Sequence, residues 1–85
     1  MASAYSLVYS EQAADFLIAL ERSRLISLLY DLRVLAKSPF MRSDYVLNDS
    51  QGRSIDHLLI GDFVVAFWAD HALSELRIVE ISDVS

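Results

Sequence analysis

Seven consecutive residues, Phe63 to Ala69 (FVVAFWA), are apolar or aromatic. A bilayer span needs roughly 20 such residues, so this run does not cross a membrane. It is β-branched and aromatic, Gly61-Asp62 opens it and Asp70 closes it. That combination predicts a strand buried on both faces; periodicity alone leaves a buried helix segment as the alternative. A strand of this kind must be covered on both sides, and the other segments are read by where they fit around it.

A chain of 85 residues makes one domain, spanning 1–85. Its hydrophobic content of 54% supports a core without disulfides or a metal. There is no Cys. That removes disulfide scaffolds, thiolate zinc sites and cysteine nucleophiles, and it fits a cytoplasmic location. The opening MASAYSLVYS has neither a basic segment nor a long apolar one, so no secretion signal is expected. Lys and Arg number 7 against 12 Asp and Glu, a net charge of −5. A domain that grips phosphates shows a basic face. This balance argues against general nucleic-acid binding and leaves room for a local basic pocket.

Ala4 to Tyr9 alternates, with Tyr5, Leu7 and Tyr9 on one side, as a half-buried strand does. Ser10 suits a helix N-cap and Glu11 the first turn. Ala13, Phe16, Leu17 and Leu20 then fall at helical spacing up to about Glu21. Arg22-Ser23-Arg24 breaks the pattern, and Ser23 is the candidate cap of a second helix reaching Lys37. Leu25, Leu28, Leu29, Leu32, Leu35 and Ala36 form its stripe. Ser38-Pro39 stops it. So short a break predicts a helical hairpin.

Strands follow at Asp44 to Asn48, Arg53 to Ile60, the central run, and Glu75 to Ile81. Turn formers fill the gaps: Asn48 to Gly52, Gly61-Asp62 as a tight hairpin, and Asp70 to Ser74. In the last strand Leu76 and Ile78 face opposite to Arg77, Val79 and Ile81. Ser82 to Ser85 is expected to fray. The predicted order is β-αα-ββββ, an α+β fold of two layers with the helical hairpin on one face of an antiparallel meander.

On these elements the chain resembles the RelE/ParE toxin superfamily of toxin–antitoxin modules. The resemblance covers nearly the whole chain. It rests on the opening strand followed by SEQAADFL, on Leu35-Ala36-Lys37-Ser38-Pro39, and on LLIGDFVVAF from Leu58 to Phe67. It implies a helical hairpin on a twisted sheet and a cognate antitoxin wrapped around it, with messenger RNA or DNA gyrase as the target in different members. RNA-cutting members carry Arg directly after the Gly-Asp-aromatic turn, and here that position is Val64. Their basic residues in the preceding strand correspond to His57 and Leu59. Their late His, Arg or Tyr has no counterpart in EISDVS. Cleavage through the 2′-OH needs a base, cationic groups and an acid, and this set does not assemble. The reading leans away from an enzyme, with an endoribonuclease as the alternative.

His57, flanked by Asp56, is the candidate general acid or base; the plainer reading is a sheet histidine with a hydrogen-bond partner. His71 reads as a solvated turn residue without partners, and two histidines so spaced indicate no metal. Arg53, Arg77 and Arg42 are candidates for phosphate or an acidic partner, or else surface charges, with Arg77 paired to Asp70 or Glu75. Trp68 and Val64 on an open sheet face would mark a partner surface. The expectation is a toxin-fold protein that binds an antitoxin or itself. A non-toxic homodimer is the first alternative. No cofactor and no membrane contact are expected.

Overall fold

The structure, a computed structural model, describes residues 4–40 and 43–85. Its elements are β1 (Ser6–Tyr9), α1 (Glu11–Ala19), α2 (Arg22–Ala36), β2 (Tyr45–Asn48), β3 (Ser54–Ile60), β4 (Phe63–Asp70) and β5 (Glu75–Asp83). The predicted β-αα-ββββ order holds. The strands form one five-stranded sheet in the order β1-β5-β4-β3-β2. β2 to β5 are an antiparallel meander, and β1 lies parallel to β5. Parallel neighbours cannot be joined by a tight turn; here the whole intervening chain separates them. Periodicity marks a strand but not its neighbour, so the sequence pattern carries no sign of the β1–β5 pairing.

Ser10 caps α1 as expected. Its hydroxyl accepts from the Ala13 N–H at 3.1 Å and donates to the Val79 carbonyl, tying the helix start to β5. The break between the helices comes earlier than predicted, at Leu20-Glu21, with Leu20 extended. Glu21, not Ser23, caps α2. Its carboxylate accepts from the Ser23 and Arg24 N–H groups at 3.1 and 3.2 Å and from the Ser23 hydroxyl at 2.6 Å. A charged acceptor at the positive end of a helix outcompetes a neutral hydroxyl. The Ser23 hydroxyl and these two N–H groups hold the Glu21 pKa below its usual value.

The core lies between the helices and one sheet face. Ala13, Leu17, Leu28, Leu32 and Leu35 pack against Phe63, Val65, Phe67, Leu76, Ile78 and Ile81. Each fully buried large side chain contributes about 1.5–3 kcal/mol. Ile81 faces the helices, contrary to the strict alternation read from the sequence. The β4–β5 register shifts between Ala66 and Phe67: Ala66 pairs with Glu80 and Phe67 with Ile78. Val79 is the extra residue, a β-bulge that resets the parity of β5.

Gly61-Asp62 closes the β3–β4 hairpin between the paired Ile60 and Phe63. Gly61 has φ +58° while Asp62 stays at negative φ, the pattern of a type II′ turn with glycine at its first central position. The C-terminal segment does not begin to fray at Ser82. Ser82 and Asp83 pair with Val64 and Phe63, and the Val84 N–H donates to the Asp62 carbonyl at 2.8 Å. Arg24 of α2 bridges Asp83 at 2.8 Å.

The central strand β4 is not sealed on both faces. Phe63, Val65, Ala66 and Phe67 are buried, whereas Val64 and Trp68 are half-buried. Both helices lie on the other side, and among the described residues no element packs over Val64 and Trp68. Of the helices described, none is long and apolar enough to cross a membrane.

Candidate functional site

Alternation along β4 sends Val64, Ala66 and Trp68 to the face away from the helices. Directly paired residues share a face, so Leu59 and His57 of β3 and Arg77, Glu80 and Ser82 of β5 join them. β2 extends this surface with Tyr45 opposite His57 and Leu47 opposite Ile55. The sheet topology thus collects four candidates from β3 to β5, His57, Val64, Trp68 and Arg77, on one open face. Arg53, immediately before β3, reaches the same surface. Arg42 lies outside the described residues.

Trp68 is held between two arginines. The Arg53 guanidinium carbon stands 4.1 Å from the indole centroid and that of Arg77 stands 5.6 Å away. Arg77 also donates to Glu75 at 2.8 Å, one of the two pairings expected from sequence. Its Nε is buried without a hydrogen-bond partner among the described residues. These arginines rim a hollow of about 260 Å³ that Ser10, Ile55, Trp68 and Val79 also line. Arg77 directs one N–H at a carboxylate, and Arg53 meets the indole through the face of its guanidinium.

His57 sits apart from them. Its ring stacks on Tyr45, with centroids 4.7 Å apart and planes 13° from parallel. Nδ1 lies 3.1 Å from the Ile55 carbonyl. A carbonyl only accepts, so Nδ1 carries the proton and Nε2 is the basic nitrogen of the neutral ring. The adjoining hollow, about 300 Å³, is lined by Leu47, Ile55, Ala66 and Val79 and by two carboxylate residues, Asp49 and Glu80. Asp49 is occupied in its own turn, where Oδ1 accepts from the Gln51 and Arg53 N–H groups at 2.9 and 2.8 Å. A base bordered by carboxylates repels the phosphate it would have to serve. The structure thus brings Arg53, Arg77 and Trp68 together, while His57 forms a separate pair with Tyr45.

His71 departs from its expected isolation in the β4–β5 turn. Its Nδ1 makes a 2.9 Å hydrogen bond with the Tyr5 hydroxyl. Its ring stacks on Phe40 at 4.8 Å and 7°. Residues this far apart in sequence carry no local signal of such a cluster. Among the described residues, no three His, Asp or Glu side chains converge as a metal site would require.

On the β2–β3 side the open face also presents accessible apolar side chains. Tyr45 is 47% exposed, Leu47 55% and Leu59 57%. Leu59 pairs with Val64 across β3 and β4, so an apolar strip runs over the middle of the sheet.

No protein-family model and no curated protein sequence matches the chain. Solved structures do. A chain of the toxin–antitoxin complex RelBE2 from Mycobacterium tuberculosis superposes with TM-score 0.78 at 12% identity, covering 100% of this chain and 98% of that one. A chain of the archaeal RelE–RelB complex from Pyrococcus horikoshii gives TM-score 0.74 at 15% identity, with 98% of each covered. A chain of the intact RelBE complex of E. coli gives 0.64 at 15% identity over 96% of this chain and 99% of that one. With its strand order, its two helices and these likenesses over nearly its whole length, the chain has the RelE-like toxin fold.

Proposed function

We propose that this chain is the toxin-fold member of a toxin–antitoxin pair and works by protein–protein binding, with a cognate antitoxin seated on the open sheet face. The observation that carries the reading is the apolar strip of Leu47, Tyr45, Leu59 and Val64, which no described element covers. Exposed apolar surface of this kind on a small domain marks an interaction site. Trp68, clamped by Arg53 and Arg77, supplies the rigid aromatic and cationic anchor that interfaces favour. The similar structures are chains of complexes with antitoxins, which agrees with a protein partner. A cytoplasmic location goes with this reading.

RNA cleavage is the weaker reading. His57 is bordered by Asp49 and Glu80, and the arginines are engaged with Trp68 and Glu75. Self-association through the same strip is the other use of the surface, and it would make the chain a homodimer.

Co-expression with the product of the adjacent reading frame, followed by affinity purification, tests the proposal. A stable complex with that product is expected. A protein that stays monomeric and binds no such product contradicts it. Induced expression that degrades messages in wild type but not in a His57→Ala variant would instead establish the nuclease.

A further inference from the structure

The outer side of α2 carries a second surface that no described element covers. Ile26, Tyr30 and Val34 recur every four residues and are 57, 66 and 41% exposed. Eight residues of helix place them along about 12 Å of the axis. Arg22, Arg33 and Lys37 are exposed along the same side. At 100° per residue these six positions fall within an arc of about 120°. Leu28, Leu32 and Leu35 point the opposite way, into the core. No carboxylate lies within the outer arc. Among the described residues the ion pairs are Arg24 with Asp83 and Arg77 with Glu75, and neither involves this side of α2.

The charge pattern is at odds with the rest of the chain. Three of its 7 basic residues lie on this one arc, leaving 4 against all 12 acidic residues elsewhere. Val34 also opens onto a groove of about 310 Å³ between α2 and β3, lined by Leu35, Leu58 and Ile60 with Asp31 on its rim. The stripe therefore ends in an apolar seat.

We propose that the outer face of α2 docks an acidic amphipathic helix from a protein partner, its apolar residues on Ile26, Tyr30 and Val34 and its carboxylates on Arg22, Arg33 and Lys37. This rests on the reading that the chain works by binding a protein. A second copy of this chain is the poorer occupant, because pairing α2 with itself sets arginine and lysine against arginine and lysine. An acidic helix has complementary charge, and its ridges match a straight helical stripe.

The test uses the full chain and the co-expressed product of the adjacent reading frame, separated and then titrated against one another. The variants are the triple substitution Arg22→Glu, Arg33→Glu, Lys37→Glu and, separately, Tyr30→Ser. All four positions are exposed, and the comparison uses variants whose circular dichroism matches that of wild type. The triple variant is expected to bind about tenfold more weakly or worse at low salt, the gap closing as salt screens the charges. Tyr30→Ser is expected to weaken binding several-fold at all salt concentrations. If the wild-type complex forms and both variants bind as tightly as wild type, the α2 proposal is overturned while the open-face reading stands. If no complex forms, both fail. Sedimentation of the chain with phosphatidylserine vesicles but not phosphatidylcholine vesicles, lost in the triple variant, would reassign the stripe to an anionic membrane surface and overturn the proposal. A solution dimer that Tyr30→Ser splits would reassign it to a second copy and do the same.

Discussion

The guanidinium of Arg53 stands 4.1 Å from the centre of the Trp68 ring, an attraction between the residue just before β3 and the outward-facing tryptophan of β4. It explains how the most hydrophobic segment of the chain tolerates a half-buried tryptophan on an uncovered sheet face. The cation shields the indole from water and is attracted by its π-electrons.

Removing Arg53 is therefore expected to uncover Trp68. The chain has a single tryptophan, so its fluorescence reports this site alone. In Arg53→Ala the emission should shift to the red and acrylamide quenching should increase. The loss of stability should be about 0.5–1 kcal/mol, the range for an exposed cation–π contact. Unchanged emission and quenching would show that the stack does not persist in solution.

The hairpin glycine offers a test of the backbone. A Cβ at Gly61 would meet nothing within 4 Å, yet φ is +58° there. The penalty of Gly61→Ala is thus conformational, with no steric part. A loss of about 1–2 kcal/mol in chemical denaturation is expected. A variant as stable as wild type would mean that the turn relaxes to another type.

Asp83 makes the stability depend on acid. The Ser85 hydroxyl and N–H, with Arg24, hold its pKa down from 3.8 to about 2. In the unfolded chain the carboxyl takes up its proton at a higher pH than in the folded one. The unfolded state binds more protons in that window, so stability rises with pH across it. The Asp83 contribution is fully present above pH 3.8 and is lost as pH falls towards about 2. Wild type should be more stable than Asp83→Asn at pH 6, and the two should converge only as pH falls below the folded pKa of about 2. A difference that is the same at both pH values would show that the carboxylate is not stabilised by folding.

Much of the fold was legible because its signals are local. Ser10, Pro39 and Gly61 act within a few residues of themselves, and each ends or starts an element where expected. Structure departs from the sequence pattern where two local signals compete or where the partner lies elsewhere in the chain. Glu21 displaced Ser23 as a cap because its charge complements the helix end. Ile81 changed faces because Val79 bulges, and the final residues are held by Asp62 and Arg24, which sequence distance hides. The site was legible in part for the same reason. Alternation put Val64 and Trp68 on one face and turn lengths carried Arg77 to it. Nothing local revealed that Tyr45 would stack on His57, or that Asp49 and Glu80 would border it.

The proposed protein docking on the open sheet face is open to direct test. Leu59 probes it well, because it is 57% exposed and a substitution there leaves the core intact. The decisive measurement is the affinity of Leu59→Asp for the product of the adjacent reading frame, compared with wild type at equal salt. A carboxylate buried in an apolar interface should weaken binding at least about tenfold, or 1.4 kcal/mol. Equal affinity of a folded Leu59→Asp variant would contradict the account.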